Sequence, residues 1–172
     1  MNNNLLILGA GQFGIMVKEI AESTRLFDKI DFLDDNSELA IGTLAAAKQY
    51  AVQYKSAIVA IGNAPLRLAL ISELISLGFD VPALISPYAY VSPSATLMPG
   101  CIVEPLAAVQ TGASLCTGCI ISSGAVVRHN ASLGEGCHAD CSSVIASNVR
   151  VPDGTKINAG EIYRQFLRGA YV

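Results

Sequence analysis

The sequence has no tryptophan, few charged residues and no long hydrophobic run. Charged side chains make up 15% of the 172 residues, apolar ones make up 52%, and the net charge is −3. The longest apolar runs, such as LLIL and AIVAI, are far shorter than the ~20 residues that cross a bilayer. The chain also lacks the basic cluster that is typical of nucleic-acid-binding proteins. We therefore expect neither a membrane nor a nucleic acid as a partner.

Targeting signals and paired cysteines are missing as well. The N-terminus MNNNLLILGAGQFG has no basic segment before its apolar stretch and no small-residue cleavage pattern after it, which argues against a signal peptide. Five cysteines, an odd number, in such a chain favour reduced thiols over a disulfide framework. These features predict a cytoplasmic protein.

The first half of the chain alternates strand-like and helix-like patterns. Strands are predicted at residues 4–9, 29–35, 56–62 and 80–85, and apolar residues at helical spacing predict helices at 13–24 and 65–78. This alternation is typical of a small parallel α/β domain, Rossmann-like in its connections, which we assign to residues 1–85.

The first turn of this domain is GAGQFG, which places Gly9, Gly11 and Gly14 in a G-x-G-x-x-G pattern between a strand and a helix. Asp34 lies 20 residues past Gly14, at the end of the second predicted strand. Such a turn lets a phosphate approach the backbone at a helix N-terminus, and the acidic group can accept from a ribose hydroxyl. The alternative is a glycine turn that only packs helix on strand. NAD-linked chemistry is disfavoured because the domain is too short for the two-halved dinucleotide fold.

The second half is a six-residue repeat. Twelve of thirteen residues at consecutive six-residue steps are Val, Leu or Ile, and the other is Ala139. A small side chain recurs four residues after most of these positions. The residue directly before that small side chain is mostly Gly or Asn, as a turn with positive φ requires. Three six-residue faces would make an 18-residue coil of a parallel β-helix. The six-residue steps fall at Ile85, Val91, Leu97, Val103, Val109, Leu115, Ile121, Val127, Leu133, Ala139, Ile145, Val151 and Ile157.

This register sorts the cysteines and the two histidines. The three faces of such a β-helix enclose a triangular prism. Cys101, Cys119 and Cys137 follow one another at 18-residue steps at the small inward position, so they should stack inside this prism. His129 and His138 should face outward, either as surface histidines without a role or as parts of a groove between two prisms. Because inward and outward side chains cannot converge on one ion, no metal site is predicted.

The whole chain resembles the NeuD/PglD family of sugar acetyltransferases. The similarity lies in the glycine turn, in FLDD, VAIGNAPLR and LISPYAYVSPSA, and in two histidines nine residues apart on the third coil. The resemblance implies a left-handed parallel β-helix of hexapeptide repeats over residues 86–162. It also implies a homotrimer that transfers acetyl from acetyl-CoA, its co-substrate, to an amine or hydroxyl of a sugar or a nucleotide-linked sugar such as a UDP-sugar.

The resemblance also implies roles for individual residues. His129 falls on the catalytic base, with Asn130 beside it, and His138 and Ser147 fall on the acetyl-CoA side. The nucleotide-sugar pocket is implied at Gly9, Gly11, Gln12, Phe13, Gly14, Asp34, Asp35, Gly62 and Asn63.

The chain departs from the family at four places. Asn130 stands where the family usually has an acidic residue, Ser122 replaces an asparagine, Ser147 replaces a glycine, and Gln12-Phe13 replaces a common Gly-His pair. The repeat is predicted to stop near Ile157, with residues 161–172 forming a short helix and residues 163–172 serving as a cap. A catalytically impaired, trimeric nucleotide-sugar-binding or scaffolding relative is therefore the alternative function.

Overall fold

The computed structural model describes residues 3–164, and the first unit is an α/β domain built on a four-stranded parallel sheet. The strands are β1 (Leu5–Leu8), β2 (Ile30–Leu33), β3 (Ala40–Gly42) and β4 (Ser56–Val59), and the helices are α1 (Gln12–Thr24), α2 (Ala47–Tyr50) and α3 (Ala64–Ser76). The sheet order is β3-β2-β1-β4. The predicted alternation is thus confirmed, whereas β3, the 3₁₀ turn Leu44–Ala46 and the short α2 were not predicted.

The sequence explains why these elements form. All four residues of β1 and of β4 are buried, which is typical of strands covered on both faces in a parallel sheet. Helix α3 begins where Asn63 Oδ1 accepts from the backbone N–H of Leu66 at 2.9 Å, with Pro65 in the first turn.

The prediction of a strand at residues 80–85 in the α/β sheet is wrong. Asp80 makes only an isolated parallel bridge to Ser56, and the chain then leaves that sheet. Pro82 has no N–H to donate to a strand ladder, which explains the break. Residues Leu84–Ile85 form β5, which pairs with Ile102–Val103 and so begins the second unit.

The second unit is a parallel β-helix, as predicted. Within residues 84–163 fourteen two-residue strands follow one another at six-residue intervals. They are β5 (Leu84–Ile85), β6 (Tyr90–Val91), β7 (Thr96–Leu97), β8 (Ile102–Val103), β9 (Ala108–Val109), β10 (Ser114–Leu115), β11 (Ile120–Ile121), β12 (Val126–Val127), β13 (Ser132–Leu133), β14 (His138–Ala139), β15 (Val144–Ile145), β16 (Arg150–Val151), β17 (Lys156–Ile157) and β18 (Ile162–Tyr163).

The strands stack into three parallel sheets that form the faces of a prism. Face 1 holds β5, β8, β11, β14 and β17; face 2 holds β6, β9, β12, β15 and β18; face 3 holds β7, β10, β13 and β16. Paired residues are 18 apart, as in Ile120 with His138, which confirms the 18-residue coil.

The prism interior matches the predicted register. From Val103 to Ile157 every residue at the six-residue step is at most 1% exposed. Cys101, Cys119 and Cys137 are fully buried, and all five cysteines are free thiols. Positive φ occurs at Asn130, Asn148 and the turn glycines, but also at Leu106 and Ser142, which occupy the same register.

The repeat continues one step further than predicted. Ile162–Tyr163 pairs with Val144–Ile145, and Tyr163 packs against the prism core, so these residues do not start the predicted helix. Tyrosine fills the six-residue step that Val, Leu and Ile occupy elsewhere. Residues 165–172 of the predicted cap lie outside the described residues.

A buried arginine joins the two units. Arg67 of α3 is fully buried, and its guanidinium donates to the carbonyls of Ile61 and Gly62 in the α/β unit at 2.8 and 2.9 Å. It also donates to the carbonyls of Gly118 and Gly136 in the prism, both at 2.8 Å. Burial lowers the pKa of Arg67. The carboxyl end of β4 is therefore fixed against the prism turns that follow face 3.

Candidate active site

The three glycines of the first turn differ in whether the structure would leave room for a side chain. Gly9 has φ +108°, and a β-carbon there would lie 2.6 Å from the carbonyl of Ala60. A β-carbon at Gly14 would overlap the carbonyl of Gly9. At Gly11 no atom lies within 4 Å of such a β-carbon, so packing does not explain this glycine. Open space therefore lies beside the N-terminus of α1, where an anionic group is favoured.

Asp34 has a local role in this turn. Its Oδ2 accepts from the backbone N–H of Ala10 at 2.8 Å, and its Oδ1 accepts from that of Asn36 at 2.8 Å. The bond from Ala10, followed by that from Asn36, lowers the pKa of Asp34. Asp35 is exposed and accepts from the backbone N–H of Leu44 at 3.0 Å. Both carboxylates thus hold backbone turns at the carboxyl edge of the sheet.

The remaining predicted pocket residues lie along the same edge. Gln12 is exposed at the start of α1, and half-buried Phe13 packs against the core of the α/β unit. Gly62 is exposed and unobstructed, and Asn63 caps α3. The structure therefore brings the glycine turn and the end of β4 to one edge, with Arg67 fixing the latter to the prism.

His138 lies on the outer side of face 1, where the α/β unit stops covering the prism. Below it in the same column, Ile102 and Ile120 are buried, and Ile102 belongs to the core of the α/β unit. Above it lies exposed Lys156. Burial lowers the pKa of His138, with Lys156 and Arg67 acting in the same direction and Asp140 opposing them.

A buried carboxylate that was not predicted stands behind His138. His138 Nε2 lies 3.0 Å from Ser122 Oγ, which donates to Glu104 Oε1 at 3.1 Å. Glu104 is 4% exposed, and its Oε2 accepts from the backbone N–H and the hydroxyl of Ser123 at 2.8 and 3.0 Å. Glu104 and Ser122 are 18 residues apart, so one coil length stacks them at the same corner of the prism. This spacing is the signal in the sequence from which the pair could have been found.

The surroundings of His129 give much less support to its predicted role as the catalytic base. It is exposed, its backbone N–H donates to Gln110 Oε1 at 3.2 Å, and its imidazole makes no hydrogen bond within residues 3–164. Asn130 adopts φ 57° and donates from Nδ2 to Asn148 Oδ1 at 3.3 Å. The amide of Asn130 therefore serves the stacked turn and does not orient His129.

The two histidines lie on opposite sides of the prism. His129 is in the turn between face 2 and face 3, and half-buried Ser147 stacks one coil away in the same turn. His138 is on face 1, which is the face opposite that corner. Within one chain His129 and His138 therefore cannot meet at one substrate.

The comparisons with known proteins bear on this arrangement. A family model described as the PglD N-terminal domain matches residues 4–74. The acetyltransferase domain of PglB from Neisseria gonorrhoeae is 32% identical, with 95% of this chain and 83% of that chain covered and a TM-score of 0.91. The chain belongs to the NeuD/PglD family of sugar acetyltransferases.

Two other structures extend the NeuD/PglD comparison. The PglB domain in complex with acetyl coenzyme A gives 26% identity, 94% and 98% coverage and a TM-score of 0.80. PerB from Caulobacter crescentus, in complex with CoA and GDP-perosamine, gives 23% identity, 96% and 90% coverage and a TM-score of 0.79, which shows the shared fold. Among curated proteins none matches the sequence.

The described residues hold neither a metal cluster nor a membrane span. Across residues 3–164, no three or more His, Cys, Asp or Glu side chains are grouped so that they could hold a metal ion. In the same part of the chain no helix has both the length and the apolar character needed to cross a membrane.

Proposed function

We propose that the chain transfers an acetyl group from acetyl-CoA to an amine or hydroxyl of a sugar or a nucleotide-linked sugar, with His129 as general base. The observation that carries the proposal is the 32% identity to an acetyltransferase domain over most of both chains. The bound molecules of the relatives agree with it, since one holds acetyl coenzyme A and another holds CoA with GDP-perosamine.

The carboxyl edge of the α/β sheet is the proposed nucleotide-sugar pocket. The open space beside Gly11 and Gly62 supports phosphate or ribose binding there. Asp34 and Asp35 already accept backbone hydrogen bonds, so they contribute through the shape of the turns and through their remaining lone pairs.

The proposed reaction needs no covalent enzyme intermediate. The amine or hydroxyl attacks the thioester carbonyl, the carbon–sulfur bond breaks, and the proton of the attacking group passes through His129 to the departing CoA thiolate. A positioned imidazole contributes roughly 10²- to 10⁴-fold to such a step. Asn130 cannot stabilise an imidazolium as an acidic neighbour would, so this chain is expected to be slower than relatives that keep the acid.

A homotrimer is part of the proposal. Because His129 and His138 lie on opposite sides of one prism, a site that uses both must take them from two chains. Closed cyclic assemblies supply such shared grooves.

The test is acetyl transfer by the purified protein. CoA release is followed with a panel of amino sugars, sialic acids and UDP-linked amino sugars, for wild type and His129→Ala. We expect turnover with at least one acceptor and a loss of at least tenfold in His129→Ala. No transfer to any acceptor, with no effect of the substitution, would sink the proposal.

The second candidate is a binding or scaffolding relative that has lost catalysis. Two observations favour it: the imidazole of His129 has no hydrogen-bond partner within residues 3–164, and Asn130 serves the turn. Calorimetry separates the two candidates. Tight acetyl-CoA binding supports the enzyme, whereas a thermal shift with a nucleotide sugar but none with acetyl-CoA supports the binding relative.

A further inference from the structure

The side chains of Glu104, Ser122 and His138 form a hydrogen-bonded chain that the family resemblance did not imply. It runs from a buried carboxylate through a buried hydroxyl to a half-buried imidazole, with contacts of 3.1 and 3.0 Å. Asp140, the other acid near His138, pairs with Lys156 at 3.1 Å and accepts from the backbone N–H of Cys141 at 2.8 Å. Among the acids of residues 3–164, Glu104 is therefore the one linked to the imidazole through hydrogen bonds.

The number of hydrogens in this chain fixes the direction of each bond. Ser122 has one hydroxyl hydrogen, and both Glu104 Oε1 and His138 Nε2 lie within its reach. If that hydrogen pointed to His138, Oε1 of a buried carboxylate would lose this donor, which is costly. The hydroxyl therefore donates to Glu104, and Ser122 Oγ accepts from His138 Nε2–H.

The remaining ring nitrogen is left as an acceptor. Burial lowers the pKa of His138, so the imidazole is neutral near pH 7 and carries one hydrogen. With that hydrogen on Nε2, Nδ1 keeps its lone pair, and Nδ1 makes no hydrogen bond to residues 3–164.

We propose that Glu104 and Ser122 are positioning residues that hold His138 as the Nε2–H tautomer and so present Nδ1 to an N–H or O–H donor of a bound ligand. The ligand part rests on the proposed function, in which such donors exist both on acetyl-CoA, as amide N–H groups, and on the sugar, as hydroxyl or amine groups. The tautomer part concerns the unliganded protein and stands independently.

The tautomer is measured by long-range ¹H–¹⁵N NMR of the unliganded protein, in which the chain's two histidines give two ring patterns. We expect a protonated Nε2 and an unprotonated Nδ1 for His138 in wild type. In Ser122→Ala the two tautomers should mix, and Ser122→Thr, which keeps the hydroxyl, should restore the wild-type pattern. Ser123→Ala is the matched control, because the Ser123 hydroxyl donates to Glu104 and makes no hydrogen bond to His138 within residues 3–164.

The wild-type spectrum alone can overturn the tautomer part, even if a variant does not fold. A wild-type His138 protonated on Nδ1 overturns it, and so does a Ser123→Ala spectrum that changes as much as that of Ser122→Ala. Absence of acetyl transfer with the expected tautomer in place would count against the proposed function only.

The ligand part is tested by steady-state kinetics of the same variants. Ser122→Ala is expected to raise the KM for one of the two substrates about tenfold, which corresponds to the loss of one hydrogen bond. Ser123→Ala is expected to change the same KM less than about twofold. A raised KM for acetyl-CoA places the donor on the acyl carrier, and a raised KM for the sugar places it on the acceptor. Unchanged KM values for both substrates overturn the ligand part.

Discussion

At the scale of single residues, the hydroxyl of Ser143 is the buried polar atom that lacks a hydrogen-bond partner within residues 3–164. The side chain lies inside the prism in the column of Ala107 and Ala125, and all three residues are buried. A buried hydroxyl without a partner costs free energy because it has lost its bonds to water. The repeat places a small side chain here but does not require a hydroxyl.

We predict that Ser143→Ala stabilises the protein by about 1 kcal/mol, since it removes the unsatisfied group and keeps the shape. The thermal midpoint should rise by about 2–4 °C. Ser132→Ala, at a half-buried outward position of face 3, is the control and should leave the midpoint unchanged. A lower midpoint for Ser143→Ala would show that the hydroxyl has a partner after all.

Single residues also show where sequence reasoning reached the site and where it stopped. The cysteine column and the turn role of Asn130 follow from the six-residue register alone. Glu104 was missed because an outward glutamate is ordinarily solvated, although its spacing of one coil from Ser122 places both residues at one corner of the prism. His138 was correctly assigned to the outside, yet its half-buried state depends on Ser122 and on how far the α/β unit covers face 1.

At the scale of elements, the turns of the prism impose one backbone geometry on every residue in the register. Leu106 adopts φ 64°, as the turn glycines do, although its side chain is 76% exposed and gains little from packing. For a branched L-residue this conformation costs roughly 1–2 kcal/mol. The element therefore tolerates strain at this position.

We predict that Leu106→Asn stabilises the protein by about 1 kcal/mol, because asparagine adopts positive φ more readily and little apolar burial is lost. Differential scanning calorimetry measures the gain. Leu26→Asn is the matched control, since Leu26 is 66% exposed but does not adopt positive φ, and it should show no gain. Equal effects of both substitutions would mean that removal of an exposed leucine is the cause.

Helix α3 is held to the prism by the carbonyl contacts of Arg67. We predict that Arg67→Met lowers the free energy of unfolding by about 3 kcal/mol, because it leaves buried carbonyls without donors. Arg67→Lys should also destabilise, since a compact ammonium cannot span carbonyls of both units. Urea unfolding measures both, with exposed Arg150→Met as the control. A Lys variant as stable as wild type would show that charge alone is needed.

The elements themselves were predicted best where a period repeats. The six-residue step predicts the strands from β5 to β17, and it reaches Tyr163 once an aromatic residue is allowed at the step. The α/β unit has no such period, so the short β3 and α2 escaped prediction. The strand predicted at 80–85 failed because Pro82 cannot continue a ladder, while Leu84–Ile85 already obeys the period of the prism.

At the scale of the whole molecule, the α/β unit and the prism meet along face 1, and the junction decides which side chains share a site. The glycine turn, the end of β4 and His138 all lie near this junction, which Arg67 fixes. His129 lies at the opposite corner, together with Ser147. Under the proposed function each chain therefore carries two half-sites, and a complete site needs a second chain.

This arrangement predicts complementation between two inactive variants. If each site takes His129 from one chain of a trimer and His138 from its neighbour, co-expressed His129→Ala and His138→Ala chains assort at random, and about a quarter of the sites regain both histidines. Co-expressed chains with different tags, isolated as mixed assemblies, should show about a third of wild-type acetyl transfer, because each mixed trimer regains one complete site of its three, whereas each variant alone shows far less. Variants purified separately and mixed without subunit exchange are the control and should stay inactive. If the mixed assemblies recover no activity, no site combines histidines from two chains. Because one chain cannot bring His129 and His138 to the same site, that result would contradict the proposal that both histidines serve the reaction.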